Sequence, residues 1–298
     1  MKKIIIILFV LIFGCKNVDD TENPDGNDTE NPDGNDDADE TLENYKDDAS
    51  NYTEMEENCK DTKEGINKAN CLIDNAYYLD KFEKQQIREM NKVRMHPQKY
   101  LEENVLVYEQ KQKDQYNNPA ITNGAELLAK LQPYIDSLKK LLKNAKRVEP
   151  LYPCLGLTIT VRDFIQDPGR NIHDSTSKGM KFGERLNLYG KAAGGAENAW
   201  VNMGATDLYY KALNSEDYIM GWLVDYGNEP KLGHRVTVLN PDYKYVGLAG
   251  GENNKKSHFY ANFTASYQDN EEIKADINYK NPVITWKVDH NPYIYLLD

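Results

Sequence analysis

From residue 79 the chain takes on helical periodicity: Phe82, Ile87, Met90 and Val93 fall on one broad apolar stripe. Pro97 ends that segment, because the residue before a proline avoids the helical region. Leu127, Leu131, Ile135, Leu138 and Leu142 recur at the spacing of a second helix, with Pro133 marking either a kink or the true start. The polar, amide-rich stretch 108–122 between them reads as a loop. A third helix is predicted over residues 155–166, burying Leu157, Val161, Phe164 and Ile165, and Asp167-Pro168-Gly169 stops it. Residues 167–205 hold seven glycines and little periodicity, a long irregular connection of the kind that carries function. A fourth helix starts near Ser215, a good N-cap, and buries Ile219, Trp222, Leu223 and Tyr226. Residues 245–249 and 259–265 alternate or run apolar on either side of the turn-rich stretch 250–257, as an antiparallel hairpin would. Helices early and strands late predict an α+β layered fold.

The two ends follow other rules. Lys2 and Lys3 precede an unbroken apolar run over residues 4–13, too short for a mature membrane span and suited to a targeting segment. The run closes in Ile12-Phe13-Gly14-Cys15, which resembles the lipobox at which a signal peptidase cuts before a cysteine that is then acylated. Cys15 is the expected lipidation site, palmitate and its kin anchoring the chain to a membrane; ordinary secretion with a free Cys15 is the alternative. Lys16 after Cys15, in place of an aspartate, favours the outer membrane where one exists. The expected location is the cell envelope, at the cell surface or facing the periplasm.

Residues 21–28 and 29–36 are the same octapeptide, Thr-Glu-Asn-Pro-Asp-Gly-Asn-Asp, which has nothing apolar to set against the entropy of ordering. Residues 19–57 carry 17 acids and one base, Lys46, so like-charge repulsion extends this tether beyond the roughly 35 Å of a neutral coil of its length. Residues 58–298 hold 31 acids and 32 bases. The formal charge of −12 therefore resides in the tether, and the remaining chain has no nucleic-acid footprint. The chain divides into a signal peptide (1–14), an acidic tether (15–57), an N-terminal extension (58–78), a main domain (79–267) and a C-terminal extension (268–298). In that last segment Val283, Thr285 and Lys287 alternate before an apolar end, which predicts an added strand or a packed tail.

Apart from Cys15 there are Cys59, Cys71 and Cys154. An oxidising compartment favours one disulfide among them. Cys59 with Cys71 is the expected pair, since they bracket a short polar segment that a staple would strengthen, whereas Cys154 lies in an apolar stretch and is expected in the core. No Cys-x-x-Cys or zinc-ribbon spacing exists, which argues against a structural zinc site. His96 and His258 are expected at the surface or in loops. The 21 tyrosines fit packing in half-buried strands and helices better than a carbohydrate-binding surface.

Several separate segments resemble one family in the right order. Met90-Asn91-Lys92-Val93-Arg94-Met95-His96-Pro97-Gln98-Lys99-Tyr100 looks like the opening helix of bacterial members of the CAP superfamily, the cysteine-rich secretory, antigen 5 and pathogenesis-related proteins. Asn171-Ile172-His173-Asp174-Ser175 is similar to the family's first histidine segment. Gly195-Ala196-Glu197-Asn198 is similar to its Gly-Glu-Asn segment, with Ala196 inserted. Gly233-His234-Arg235, Val238-Leu239-Asn240-Pro241 and Val246-Gly247-Leu248 look like the bacterial Gly-His-Arg, Leu-Asn-Pro and Val-Gly signature, and Tyr260-Ala261-Asn262-Phe263 like the closing strand. The resemblance spans about residues 80–267 and implies a three-layer α-β-α sandwich with a cleft lined by His173, Glu197 and His234. The fourth cleft position departs from the family: Trp222 is followed three residues later by Asp225 where many members carry glutamate, so its reach into the cleft is open.

Two neutral imidazoles, His173 and His234, can bind a divalent ion such as zinc with carboxylates orienting them, although a two-histidine site predicts weak, exchangeable occupancy. A metal-bound water beside Glu197 as general base would make a hydrolase. Against that, there is no His-Glu-x-x-His helix, no Gly-x-Ser-x-Gly elbow and no clear Ser or Cys nucleophile beside the histidines in sequence. The reading preferred from sequence is binding without catalysis, with a lipid, sterol or peptide in the cleft or an adjoining apolar groove. A metal-assisted hydrolase or protease and a structural or adhesion module are the alternatives.

Overall fold

Asp80 opens the first long helix with a reciprocal cap: its carboxylate accepts from the Glu83 amide at 2.7 Å, while Glu83 accepts from the Asp80 amide at 3.0 Å. The computed structural model describes residues 55, 57–167, 176, 179–203, 215–228, 230–253 and 256–270. Cys15, the octapeptide repeat, His173 and residues 271–298 lie outside them. Everything described belongs to one unit, Asp47–Asp298.

In chain order come α1 (Ile66–Asn75), α2 (Lys81–Met95) and the single turn α3 (Pro97–Tyr100). A π-helical turn, Leu101–Val105, leads into α4 (Leu106–Tyr116), followed by α5 (Gly124–Asn144), β1 (Tyr152–Pro153) and α6 (Leu155–Gln166). The rest is α7 (Phe182–Leu186), β2 (Gly190–Ala192), β3 (Ala196–Met203), α8 (Ser215–Val224), α9 (Gly233–Leu239), β4 (Tyr245–Asn253), β5 (Lys256–Thr264) and β6 (Tyr267–Asp269). The class is α+β. No helix among the described residues is long and apolar enough to cross a membrane.

The main sheet runs β1-β4-β5-β3, with β1 parallel to β4 and the other pairs antiparallel; β2 and β6 form a separate antiparallel ribbon. Successive strand residues point to opposite faces, and each face of this sheet has its own helices. Ala199, Ala249 and Tyr260 pack against Val161, Phe164 and Ile165 of α6. On the other face, Trp200 and Phe259 meet Tyr218 of α8, and Phe82 of α2 lies 5.7 Å, ring to ring, from Phe259. Gly247 permits the closest approach of α6, because a Cβ there would fall 2.3 Å from the Leu157 backbone.

The motif residues of α2 are scaffold. Asn91 exchanges two hydrogen bonds with the Leu151 backbone, at 2.7 and 3.0 Å. Arg94 is fully buried and donates to the carbonyls of Glu149, Val238, Asn240 and Tyr243, pinning the segment that leads into β4. A disulfide ties Cys59 to Cys71 within α1, and Cys154 is a buried free thiol.

Three elements differ from the sequence reading. Residues 108–116 are helical and not loop, because Glu109 on the polar α4 accepts from Lys113, and from Gln132 and Lys139 of α5, so ion pairs between helices replace an apolar stripe. Within 167–205 the chain forms α7, β2 and β3, the last held by its ladder with β5. The stretch 250–257 is largely strand: β4 runs to Asn253 and β5 begins at Lys256. His258 lies inside β5, 4% exposed and stacked on Tyr260, whereas His96 is exposed.

Candidate functional site

Helix α8 ends where Asp225 turns into the left-handed region, at φ +57°, while its amide still donates to the Gly221 carbonyl. Such a residue is usually glycine or asparagine; aspartate is tolerated because its short polar side chain can bond locally. Here the carboxylate, fully buried, turns toward the start of α9. One oxygen accepts from the His234 and Arg235 amides, at 3.0 and 3.3 Å. The other lies 2.8 Å from Nδ1 of His234 and 2.6 Å from Nδ2 of Asn228. The side chain one methylene shorter therefore reaches the ring, because the left-handed turn brings the backbone closer.

The rest of the neighbourhood holds this pair in place. The His234 ring stacks beside Trp222, with centroids 6.4 Å apart, and Trp222 stacks in turn on Phe259 at 5.1 Å. Asn198 of β3 donates to the His234 carbonyl at 3.1 Å. Arg235 is 3% exposed and donates to the Leu223 and Val224 carbonyls at the end of α8, and to the Tyr134 carbonyl and Ser137 hydroxyl on α5. In Gly233-His234-Arg235, then, the arginine is the tie and the histidine is the group left at the surface, its side chain 20% exposed.

Burial by itself would push the Asp225 carboxyl up. The hydrogen bonds from His234 and Asn228, with the Arg235 amide, outweigh it and hold the group below the usual aspartate range. The result is an ionised carboxylate against Nδ1, which favours the tautomer that carries its proton on that nitrogen.

Glu197 does not join this cluster. It sits on β3 in register with Asn262 and shares the face of Ala199, toward α6. There Arg185 of α7 pairs with it at 3.0 Å, the two side chains 2% and 4% exposed. The guanidinium also lies 3.5 Å above the centre of the Phe164 ring. Asn198, the next residue, is the one that faces His234. The expected gathering of Glu197 with His234 in one cleft is thereby corrected: the sheet lies between them, since adjacent strand residues cannot share a face.

The structure thus brings Asp225 and His234 together, sends Glu197 to the opposite face, and leaves His173 outside the described residues. Among the described residues no group of three or more His, Cys, Asp or Glu side chains could hold a metal ion. With Asp225 spent on Nδ1 and on backbone amides, those residues offer zinc only His234, and they do not fit the ion. Asn228, Asn198, Arg235 and Arg185 were not singled out as site residues from sequence; the left-handed Asp225 and the strand register that recruit them are tertiary features.

No family model, curated protein or solved structure matches the chain.

Proposed function

We propose that this chain is a lipid-tethered protein of the cell envelope whose folded part is a CAP-type α-β-α sandwich, binding a small apolar ligand or partner beside His234 without catalysis. The ordered resemblance over residues 80–267 supports the fold, as do the helices on both faces of the β1-β4-β5-β3 sheet. The observation that carries the functional reading is the Asp225–His234 pair: a preset imidazole, part-exposed against Trp222, while among the described residues Glu197 is paired with Arg185 on the other face of the sheet. An imidazole with one face on an indole suits a ligand that has an apolar body and a single polar group.

The test is a screen of lipids, sterols and peptides against the full chain, followed by titration. Saturable binding that drops at least tenfold in His234→Ala, with no turnover of ester or peptide substrates, is the expected result; a blank screen overturns it. A carboxylate-oriented imidazole is also how metal ligands are held, so a metal-assisted hydrolase is the second reading, one that needs further ligands from outside the described residues, where His173 lies. Assaying ester and peptide hydrolysis with and without added zinc decides that one: a zinc-dependent rate lost in His234→Ala supports it, and equal rates with and without zinc exclude it. Partner capture that survives loss of His234 would instead mark an adhesion module.

A further inference from the structure

A cavity of about 590 Å³ lies away from the Asp225–His234 pair, where α1 and the residues before it meet β1, the start of β4, and β6. None of the cleft residues lines it. Its size is that of a small-ligand site.

Three tyrosines form much of the wall. Tyr152 and Tyr245 are direct partners across the parallel β1–β4 pair, with ring centroids 6.1 Å apart, and Tyr267 of β6 contributes the third ring. The Tyr152 hydroxyl is held between the Gly65 amide and the Glu64 carboxylate, both at 3.1 Å, so that ring is set rigidly. The Tyr267 hydroxyl is buried with no hydrogen-bond partner among the described residues. Around the rings stand Lys60, Lys68, Glu64 and Asp269, two cations and two anions, together with the exposed amide of Gln268.

We infer that this cavity binds a short neutral saccharide. Pyranose rings present a flat C–H face, which fits tyrosine rings, and hydroxyls that each donate and accept, which fits interleaved cations, carboxylates and an amide. A nucleotide or other polyanion is disfavoured, because the lining has no net charge and Lys60 already pairs with Glu57. An alkyl chain is disfavoured too, since it would take the Lys60–Glu57 pair and the Gln268 amide out of water with no polar group to compensate. Of the 21 tyrosines, these three border the cavity, and Tyr245 and Tyr267 also pack against Cys154, Leu157 and Leu186, which fixes their rings in place.

The experiment screens the full chain against an array of neutral mono- to tetrasaccharides and titrates the best binder by calorimetry. Saturable binding is expected, at least tenfold weaker in Leu72→Trp, which fills the cavity, and at least threefold weaker in Gln268→Ala, an exposed change that leaves the fold intact. His234→Ala should leave the affinity unchanged, which separates this site from the cleft. An array on which no neutral glycan binds, affinity unmoved by both cavity variants, or affinity lost with His234 would each overturn the proposal.

Discussion

The two faces of the main sheet each hold a carboxylate against a basic side chain, and the pairs behave differently. Toward α6, Glu197 and Arg185 are sealed under Phe164 and Phe182, an ion pair closed off from solvent. Toward α8 and α9, Asp225 is equally buried, but its partner His234 reaches the surface. The sealed pair is architecture: it satisfies two charges that would otherwise be costly. The half-open pair can act on something outside, because one member has a route to solvent and a ring nitrogen not committed to Asp225. A glutamate in a family-like motif is therefore no evidence of a site until its face is known.

The sharpest way to break this contrast is to strip the sealed face of one charge. Arg185→Leu leaves Glu197 uncompensated and should cost about 3–5 kcal/mol in urea unfolding, with most of it restored in the Arg185→Leu, Glu197→Leu double variant. If the single change costs less than about 1 kcal/mol, the pair is not sealed. On the same face, Gly247→Ala drives a Cβ into the Leu157 backbone and should cost about 3 kcal/mol, read as a lowered urea midpoint with unchanged slope.

The open face should respond more mildly and with pH. Asp225→Asn keeps the shape and tolerates the left-handed turn but removes the charge, and should cost about 2 kcal/mol at pH 7. Because the Asp225 pKa is lower in the folded chain than in the unfolded one, its contribution is present above the unfolded aspartate value near 4. It is lost as pH falls through the depressed folded value. Stability curves of parent and variant should converge on acidification; a gap that stays constant would mean the charge is not what matters. The smallest effect belongs to His234→Ala, under about 1 kcal/mol because the ring is part-exposed, while binding of the ligand proposed beside it should be lost.

Where the chain packs an apolar stripe against a neighbour, the sequence was legible. Helix α6 is found over Leu155–Gln166, as its stripe and the Asp167-Pro168-Gly169 stop predict. The β4–β5 hairpin stands where the alternating runs fall, and Cys154 is in the core. Elements held by partners distant in sequence were not. Helix α4 has no stripe to betray it and depends on α5 through Glu109. Strand β3 reads as glycine-rich loop until β5 pairs with it. The buried His258 has the same cause, since a histidine's burial is set by what stacks on it.

By itself the sequence determined the α+β class, the helical stripes, the acidic charge of residues 19–57 and the order of the motif segments, because each depends on neighbours a few residues apart. Only the tertiary structure decided that Asp225 reaches His234 and that Glu197 does not. The first depends on one left-handed turn and the second on which way a strand residue faces. Both are fixed by packing between elements far apart in the chain, which no local pattern records.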